Sequence, residues 1–182
     1  MKKNGLKSII VVVFCACLCV GYYYYLTQKT GGKEQKLSEV EMIISKDLEA
    51  SYPKTAREVV KFYNRILKSY YSQEYTQEQL EMMAEQARLL MDEELRGKNP
   101  KEQYLEAVKA DIASYGKEKM TISNISLESV NEIEYKTVKG SECAYVDVDY
   151  FLKSKKNAQR ASQTYILRKD DGGKWRILGF YQ

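Results

Sequence analysis

The chain has 182 residues, the length of one domain with short appendages. It carries 29 lysines and arginines against 25 aspartates and glutamates, and most of the excess lies in Lys2, Lys3 and Lys7. The rest of the chain is nearly neutral and has no concentrated basic segment, so we predict no nucleic-acid binding.

The residue types that are missing exclude several kinds of chemistry. The chain has no histidine, which rules out Ser-His-Asp and Cys-His relays and removes the commonest neutral metal ligand. After residue 26 the sequence has one cysteine, Cys143, so neither an intrachain disulfide nor a four-thiolate zinc site can form there. Phosphate-binding, dinucleotide-binding and calcium-loop motifs are not found in the sequence. We therefore predict no metal and no cofactor.

The N-terminal segment is basic and then apolar. Residues 1–7 precede the uncharged stretch SIIVVVFCACLCVGYYYYL, Ser8–Leu26, which as a helix would be about 28 Å long and close to membrane thickness. We predict a cytoplasmic tail at 1–7 and a single-span transmembrane signal anchor at 8–26, with the rest of the chain outside the cytoplasm at the cell membrane. The four tyrosines at the end of the stretch fit the aromatic belt at the outer surface of the cell membrane. They are Tyr22, Tyr23, Tyr24 and Tyr25.

Three other interpretations of this segment stay open. A cleaved signal peptide would have a shorter apolar core followed by small residues, whereas here the core continues into tyrosines. Lipid attachment at Cys17 would follow Ala16 suitably, but Phe14 stands where bacterial lipoprotein signals have leucine. A redox role for Cys15, Cys17 and Cys19 is disfavoured because thiols in hydrocarbon stay neutral.

The segment 27–51 has two adjacent glycines and mixed charge, which predicts a flexible stalk before a folded domain at 52–182. Within the stalk, VEMIIS is compatible with either a short strand or a helical turn. Capping boxes then mark the starts of two helices, and an Asn-Pro pair marks the start of a third. The predicted helices are Ala56–Tyr71, Gln77–Arg96 and Pro100–Tyr115, and the acidic run Asp92–Glu94 is expected on a solvated helix face.

After Gly116 the hydrophobic period changes from 3.6 to 2 residues. Ile122–Tyr135 is expected to form a strand with a bulge near Ile125, and ECAYVDVDYFLK is the strongest strand pattern. SQTYILRK and KWRILGFY are predicted to form a hairpin around DDGG. The predicted fold class is α+β, with three helices packed on one face of a four-stranded antiparallel sheet and a single transmembrane helix before them.

The two faces of the ECAYVDVDYFLK strand have different predicted roles, one in the core and one in a candidate site. Its alanine, valines, second tyrosine and leucine are expected to face the helices. The opposite face is our candidate partner- or ligand-binding surface, where two carboxylates two residues apart permit either proton transfer or cross-strand ion pairs, and the ion pairs are favoured. Cys143 on that face is expected to be a packing residue. The candidate site residues are Tyr145, Asp147, Asp149 and Phe151.

The ending RKDDGGKWRILGFYQ, with Trp175 on its last strand, and the order of elements resemble the nuclear transport factor 2-like superfamily of cone-shaped α+β domains. The chain departs from many members, because only Lys98 and Asn99 separate the second and third helices where those members insert a strand. KDLEASYPKTAREVVKFYNRILKSYY, with EQARLLMDEEL and the following NP, is similar to a family of membrane-anchored proteins of unknown function from Firmicutes.

The first resemblance implies a cone that serves enzymes, small-ligand binders or scaffolds, among them a tethered scaffold of conjugation and type IV secretion machines. We therefore expect a membrane-anchored, non-enzymatic module that binds a protein, a wall-associated ligand or a second copy of itself. A scaffold of an envelope or secretion/conjugation assembly is one such module. The alternative is a small-molecule binder or an isomerase- or dehydratase-like enzyme that uses the interior of the cone. A deep cavity lined by Asp or Tyr would favour the alternative.

Overall fold

The structure is a computed structural model that describes residues 18, 20–22, 25, 37–72, 74–155 and 157–182. The chain divides into two compact units, Met1–Leu37 and Ser38–Gln182. The second unit therefore includes residues 38–51, which composition assigned to a stalk. This segment contributes Val40, Ile43 and Leu48 to the buried core.

The predicted transmembrane helix is not borne out. In the part of the chain that the structure describes, no helix is long and apolar enough to cross a membrane. Most of the 8–26 segment, including Tyr23 and Tyr24, lies outside the described residues. The described interface candidates Tyr22 and Tyr25 are exposed.

Five helices precede the sheet among the described residues from 38 on: the first includes VEMII, where a strand or a helical turn was left open, and four follow where three were predicted. Side-chain caps define several of their starts: the Thr55 hydroxyl accepts from the Glu58 amide, and Thr76 and Gln79 form the predicted capping box. Ser38 caps the first helix in the same way. The helices are α1 (Glu39–Ile44), α2 (Ala56–Ser72), α3 (Gln77–Leu89), α4 (Glu93–Lys98) and α5 (Lys101–Glu118).

The predicted second helix is divided between α3 and α4 because the intervening backbone pairs with the sheet. The Asp92 amide donates to the Ile177 carbonyl at 2.8 Å, and the Ile177 amide donates to the Leu90 carbonyl at 2.9 Å. Asp92 then caps α4 by accepting from the Glu94 amide. Its side chain is 6% exposed and pairs with Arg168, so the expectation that it lies on a solvated helix face was wrong.

Helix α5 differs from the prediction at both ends. Pro100 is the cap residue and makes no side-chain cap bond. The side-chain NH2 group of Asn99 donates back to the Leu95 carbonyl of the preceding helix. The helix continues past Gly116 to Glu118, and Lys119 ends it in the left-handed conformation with φ of 51°. The left-handed residue that ends the helix is thus a lysine, three residues after Gly116.

The sheet has five antiparallel strands, so the prediction of four was wrong. The expected strand Ile122–Tyr135 is interrupted by a turn, and its two parts pair end to end with the same edge of β3. The predicted bulge is present between Ile122 and Asn124. The order is β1-β3-β4-β5, with β2 also on β3. The strands are β1 (Thr121–Leu127), β2 (Glu134–Val138), β3 (Ser141–Lys153), β4 (Ala158–Lys169) and β5 (Trp175–Tyr181).

The inner face of the sheet packs on α2. The alternate residues of β3 that were predicted to face the helices are all buried, and the most buried positions of α2 lie against the sheet. Each such aliphatic side chain stabilises the fold by about 1.5–3 kcal/mol on burial. The predicted DDGG hairpin is confirmed, with Gly173 at φ of 75°. The buried β3 residues are Ala144, Val146, Val148, Tyr150 and Leu152.

Candidate functional site

A cavity of about 640 Å³ lies between α2, α5 and the inner face of the sheet. Helix α2 presents tyrosines at 63, 70 and 71, a spacing that puts them on one side of the helix. Helix α5 presents residues 104, 108, 111, 112 and 115, which share a face for the same reason. The principal lining residues are Tyr63, Tyr70, Tyr71, Tyr104, Val108, Asp111, Ile112, Tyr115, Tyr150, Ala161, Gln163, Tyr165 and Phe180.

The cavity exists because α5 does not close onto the sheet. None of the residues of α5 is fully buried, although the helix has an apolar stripe that reaches from Tyr104 to Tyr115. The corresponding stripe of α2 is buried almost completely. Side chains of α5 therefore form a wall of the cavity instead of filling it.

The Tyr70 ring lines this cavity, but its hydroxyl oxygen is buried out of contact with the open space and interacts weakly with the Tyr104 hydroxyl, without a short hydrogen bond to a described residue. The whole side chain is only 2% exposed. A buried hydroxyl without a partner is unfavourable, and native proteins normally satisfy such groups with protein, water or ligand. Burial also raises the pKa of Tyr70 above its ordinary range, so its hydroxyl keeps its proton.

Two tyrosines of the lining, Tyr150 and Tyr165, form a connected network with the buried Asn64 of α2. The side-chain NH2 group of Asn64 donates to the backbone carbonyl of Val60 at 2.9 Å, which leaves the side-chain oxygen of Asn64 as an acceptor. The Tyr150 hydroxyl donates to that oxygen and lies 2.6 Å from the Tyr165 hydroxyl. Because the Tyr150 proton is used on Asn64, Tyr165 is the donor to Tyr150. The network holds both rings in fixed positions.

Burial keeps these hydroxyls neutral. It raises the pKa of Tyr150 to about 12, an effect partly opposed by its hydrogen bonds to Tyr165 and Asn64. The pKa of Tyr165 lies well above its ordinary value for the same reason, and the neighbouring Tyr150 and Tyr63 add to the effect. The tyrosines therefore act as hydrogen-bonding groups and not as bases at neutral pH.

At the mouth of the cavity, α2 and α5 meet through a tyrosine and a carboxylate. The Tyr71 hydroxyl donates to the Asp111 carboxylate. Burial, followed by this hydrogen bond, raises the pKa of Tyr71 above its ordinary range. The Tyr115 ring lies beside that of Tyr71, with ring centroids 4.6 Å apart. Asp111 is the one charged side chain among the described residues that line the cavity.

The sequence-predicted site lies elsewhere, on the outer face of the sheet. The structure brings its four members together on β3 and pairs them with residues of neighbouring strands and with the segment after β1. None of them lines the cavity. These residues are Tyr145, Asp147, Asp149 and Phe151, of which Asp147 and Phe151 are exposed.

The two carboxylates of that face have partners. Asp149 accepts from the Arg160 guanidinium at 2.6 and 3.0 Å and from the Ser162 hydroxyl at 2.6 Å. The Arg160 bond, followed by the Ser162 bond, lowers the pKa of Asp149. Asp147 accepts from the Thr164 hydroxyl. These contacts are cross-strand pairs of the kind expected, and a lowered pKa does not suit Asp149 for accepting a proton at neutral pH.

Cys143 is buried, with 4% exposure, as expected of a packing residue. Among the described residues, no group of three histidine, cysteine or acidic side chains is arranged to hold a metal ion.

The residues that line the cavity were not identified from the sequence. Tyrosines at helical spacing, as in α2 and α5, have the sequence pattern of core residues, which is where such residues usually lie. The available signal was the unusual number of hydroxyls on these stripes, because an ordinary core uses apolar residues without a polar atom.

The comparisons with known proteins bear on family and not on activity. No curated protein matches the chain. Among solved structures, the helical cell shape determining protein Pgp2 from Campylobacter jejuni is similar over 70% of this chain and 41% of that chain, with 13% identity and a TM-score of 0.36. The chain thus spans less than half the length of that protein. A family model described as "Domain of unknown function (DUF6715)" matches residues 1–180, and the chain belongs to that family.

Proposed function

We propose that the Ser38–Gln182 unit is a non-enzymatic binding module that takes up a small, largely apolar molecule in the cavity between α2, α5 and the sheet. The observation that carries the proposal is the open cavity of about 640 Å³ that α5 leaves against the inner face of the sheet, lined mainly by apolar and tyrosine side chains. A ligand that fills this space would remove its apolar lining from water, which is favourable.

The size and lining of the cavity support the proposal. About 640 Å³ lies within the range of typical ligand pockets, which are mostly apolar and have a few polar groups that orient the ligand. Here the apolar wall is interrupted by tyrosine hydroxyls and by Gln163. The half-buried α5 gives a route of entry, because it has few buried contacts to break.

Binding is favoured over catalysis by the state of the polar groups. The cavity tyrosines whose pKa values are raised stay protonated at neutral pH. The carboxylate pair on β3 lies on the other side of the sheet from the cavity, so it does not serve a molecule bound there.

A neutral fluorescent probe of apolar cavities, N-phenyl-1-naphthylamine, tests the proposal with the full chain. We expect saturable fluorescence enhancement with one probe per chain. Ala107→Trp introduces a large side chain into the lining, and we expect it to weaken probe binding at least about tenfold. Ala110→Trp, on the same helix but outside the lining, is the matched control and should bind like the unaltered chain.

Two results would contradict the proposal. One is the absence of saturable binding by the unaltered chain. The other is equal probe affinity in the Ala107→Trp and Ala110→Trp variants, which would place the probe somewhere other than the cavity.

The location of the module stays a prediction that rests on the sequence of the N-terminal segment, in which the basic residues 1–7 precede the uncharged apolar stretch 8–26. We propose that the domain acts outside the cytoplasm. An alkaline phosphatase fused after Gln182 is active only outside the cytoplasm, so an inactive fusion that is present at normal levels would contradict this location.

A partner at the outer face of the sheet also stays a prediction. Its support is the exposed Phe151 and Tyr181, which are 39% and 53% exposed. Charge reversal at this face by Arg160→Glu should abolish association of the domain with a partner or a second copy, measured by sedimentation and cross-linking. Unchanged association would place the contact elsewhere.

A further inference from the structure

We propose that the molecule bound in the cavity is an organic cation, a protonated amine or quaternary ammonium that carries an apolar group. The inference rests on the proposed function, since it names the chemical class of the ligand for the same cavity. It is carried by the juxtaposition of an aromatic lining with a single carboxylate at the mouth.

The charges of the lining favour a cation. Asp111 is the one charged side chain among the described lining residues, and none of those residues is lysine or arginine. Lys109, two residues away on α5, is paired with Glu106 at 3.2 Å. An anionic ligand would enter the low-dielectric cavity without a counter-charge and next to a carboxylate, which is unfavourable. A cation would gain from the same carboxylate.

The aromatic rings supply the second element of cation recognition. The Tyr71 and Tyr115 rings lie together at the mouth, at an interplanar angle of 37°, and Asp111 accepts its hydrogen bond from Tyr71. Tyr104 and Phe180 extend the aromatic lining. Ring faces attract ammonium groups through their quadrupole, and aromatic sites of this kind recognise quaternary ammonium and methylated amines.

The neutral hydroxyls fit the same class of ligand. Burial raises the pKa of Tyr71 and of Tyr104, so these lining hydroxyls keep their protons and add no negative charge at neutral pH. The apolar residues Val108, Ile112 and Ala161 are available for the uncharged part of the molecule.

Displacement of N-phenyl-1-naphthylamine from the full chain tests the inference. Three competitors of matched chain length are compared below their micellar concentrations: octyltrimethylammonium, octanol and octanoate. We expect octyltrimethylammonium to displace the probe at about tenfold lower concentration than octanol, and octanoate to be the weakest. Asp111→Asn, which keeps an oxygen acceptor for the Tyr71 hydroxyl, should remove most of the preference for the cation over octanol. Glu102→Gln, an exposed residue on the same helix but outside the lining, controls for a general loss of negative charge.

The outcomes separate this inference from the proposed function. Failure of the probe itself to bind would overturn both. Probe binding with equal displacement by the cation and octanol, or with octanoate as the strongest competitor, would overturn the cation inference and leave the cavity as a binding site. A cation preference that survives Asp111→Asn, or that Glu102→Gln removes equally, would also overturn it.

Discussion

The hydroxyl of Tyr71 on α2 donates a hydrogen bond to the carboxylate of Asp111 on α5 across the mouth of the cavity. This bond is one of few specific contacts that hold α5, because none of the residues of that helix is fully buried. The pair therefore has two roles: it positions the carboxylate, and it limits how far the helix can open.

Tyr71→Phe should weaken the attachment of α5. We expect a loss of about 1 kcal/mol in the free energy of unfolding, measured with urea, and faster amide hydrogen exchange along α5 than along α2. Tyr135→Phe, which alters an exposed tyrosine with no hydroxyl hydrogen bond to a described residue, is the control. Equal exchange rates in α5 before and after Tyr71→Phe would show that the bond does not hold the helix.

Tyr70→Phe should stabilise the ligand-free protein. The substitution removes a buried hydroxyl that makes no short hydrogen bond to a described residue and leaves the ring in place. We expect an increase of about 1 kcal/mol in the free energy of unfolding. A decrease in stability would mean that the hydroxyl is satisfied, for instance by a bound water.

Tyr150→Phe and Tyr165→Phe should differ in cost, although both delete a hydroxyl from one network. Tyr150→Phe leaves the buried Asn64 carbonyl oxygen without a donor and should cost about 2–3 kcal/mol of stability. Tyr165→Phe keeps the bond from Tyr150 to Asn64 and should cost about 1 kcal/mol. Urea unfolding of the two variants measures the difference, and the reverse order would contradict the donor assignment.

The helix starts and the strand alternation could be predicted because they depend on local chemistry. Thr55 and Thr76 accept from amides three residues ahead, and this geometry is visible as a spacing in the sequence. The alternation of β3 likewise determines which side chains are buried once one face meets α2.

The division between α3 and α4, the fifth strand and the cavity depend on contacts between distant residues. The helix is interrupted before Asp92 because the backbone there pairs with Ile177, 85 residues later. No local spacing in the sequence indicates this pairing. The cavity depends on how far α5 lies from the sheet, and an apolar stripe has the same sequence pattern whether it fills a core or lines a space.

Asp92→Ala should be strongly destabilising even though the residue lies in a run of acids. Its carboxylate is 6% exposed, caps α4 and binds Arg168 through two nitrogens. We expect a loss of about 2–3 kcal/mol, less than for a fully buried pair because Arg168 can still be hydrated. Glu94→Gln, whose exposed carboxylate lies 3.7 Å from the same guanidinium, should leave the free energy of unfolding nearly unchanged because water screens this pair. Equal effects of the two substitutions would exclude a special role for Asp92.

Asp149 should make the free energy of unfolding of the domain depend on pH in the acidic range. Its hydrogen bonds to Arg160 and then to Ser162 lower its pKa in the folded state, so the unfolded state binds the proton more readily. The stabilisation is therefore complete above the ordinary aspartate pKa, about 4, and is lost as the pH falls through the lower folded-state value.

Urea midpoints of the unaltered chain and of Asp149→Asn test this directly. At about pH 7 the variant should unfold at lower urea, and at about pH 2 the two midpoints should converge because the unaltered carboxyl is then protonated as well. Glu49→Gln, which changes an exposed carboxylate with no ion pair among the described residues, should leave the midpoint unaltered at pH 7. A constant difference between Asp149→Asn and the unaltered chain across this pH range would show that the Arg160 pair stabilises the sheet by packing and not by charge.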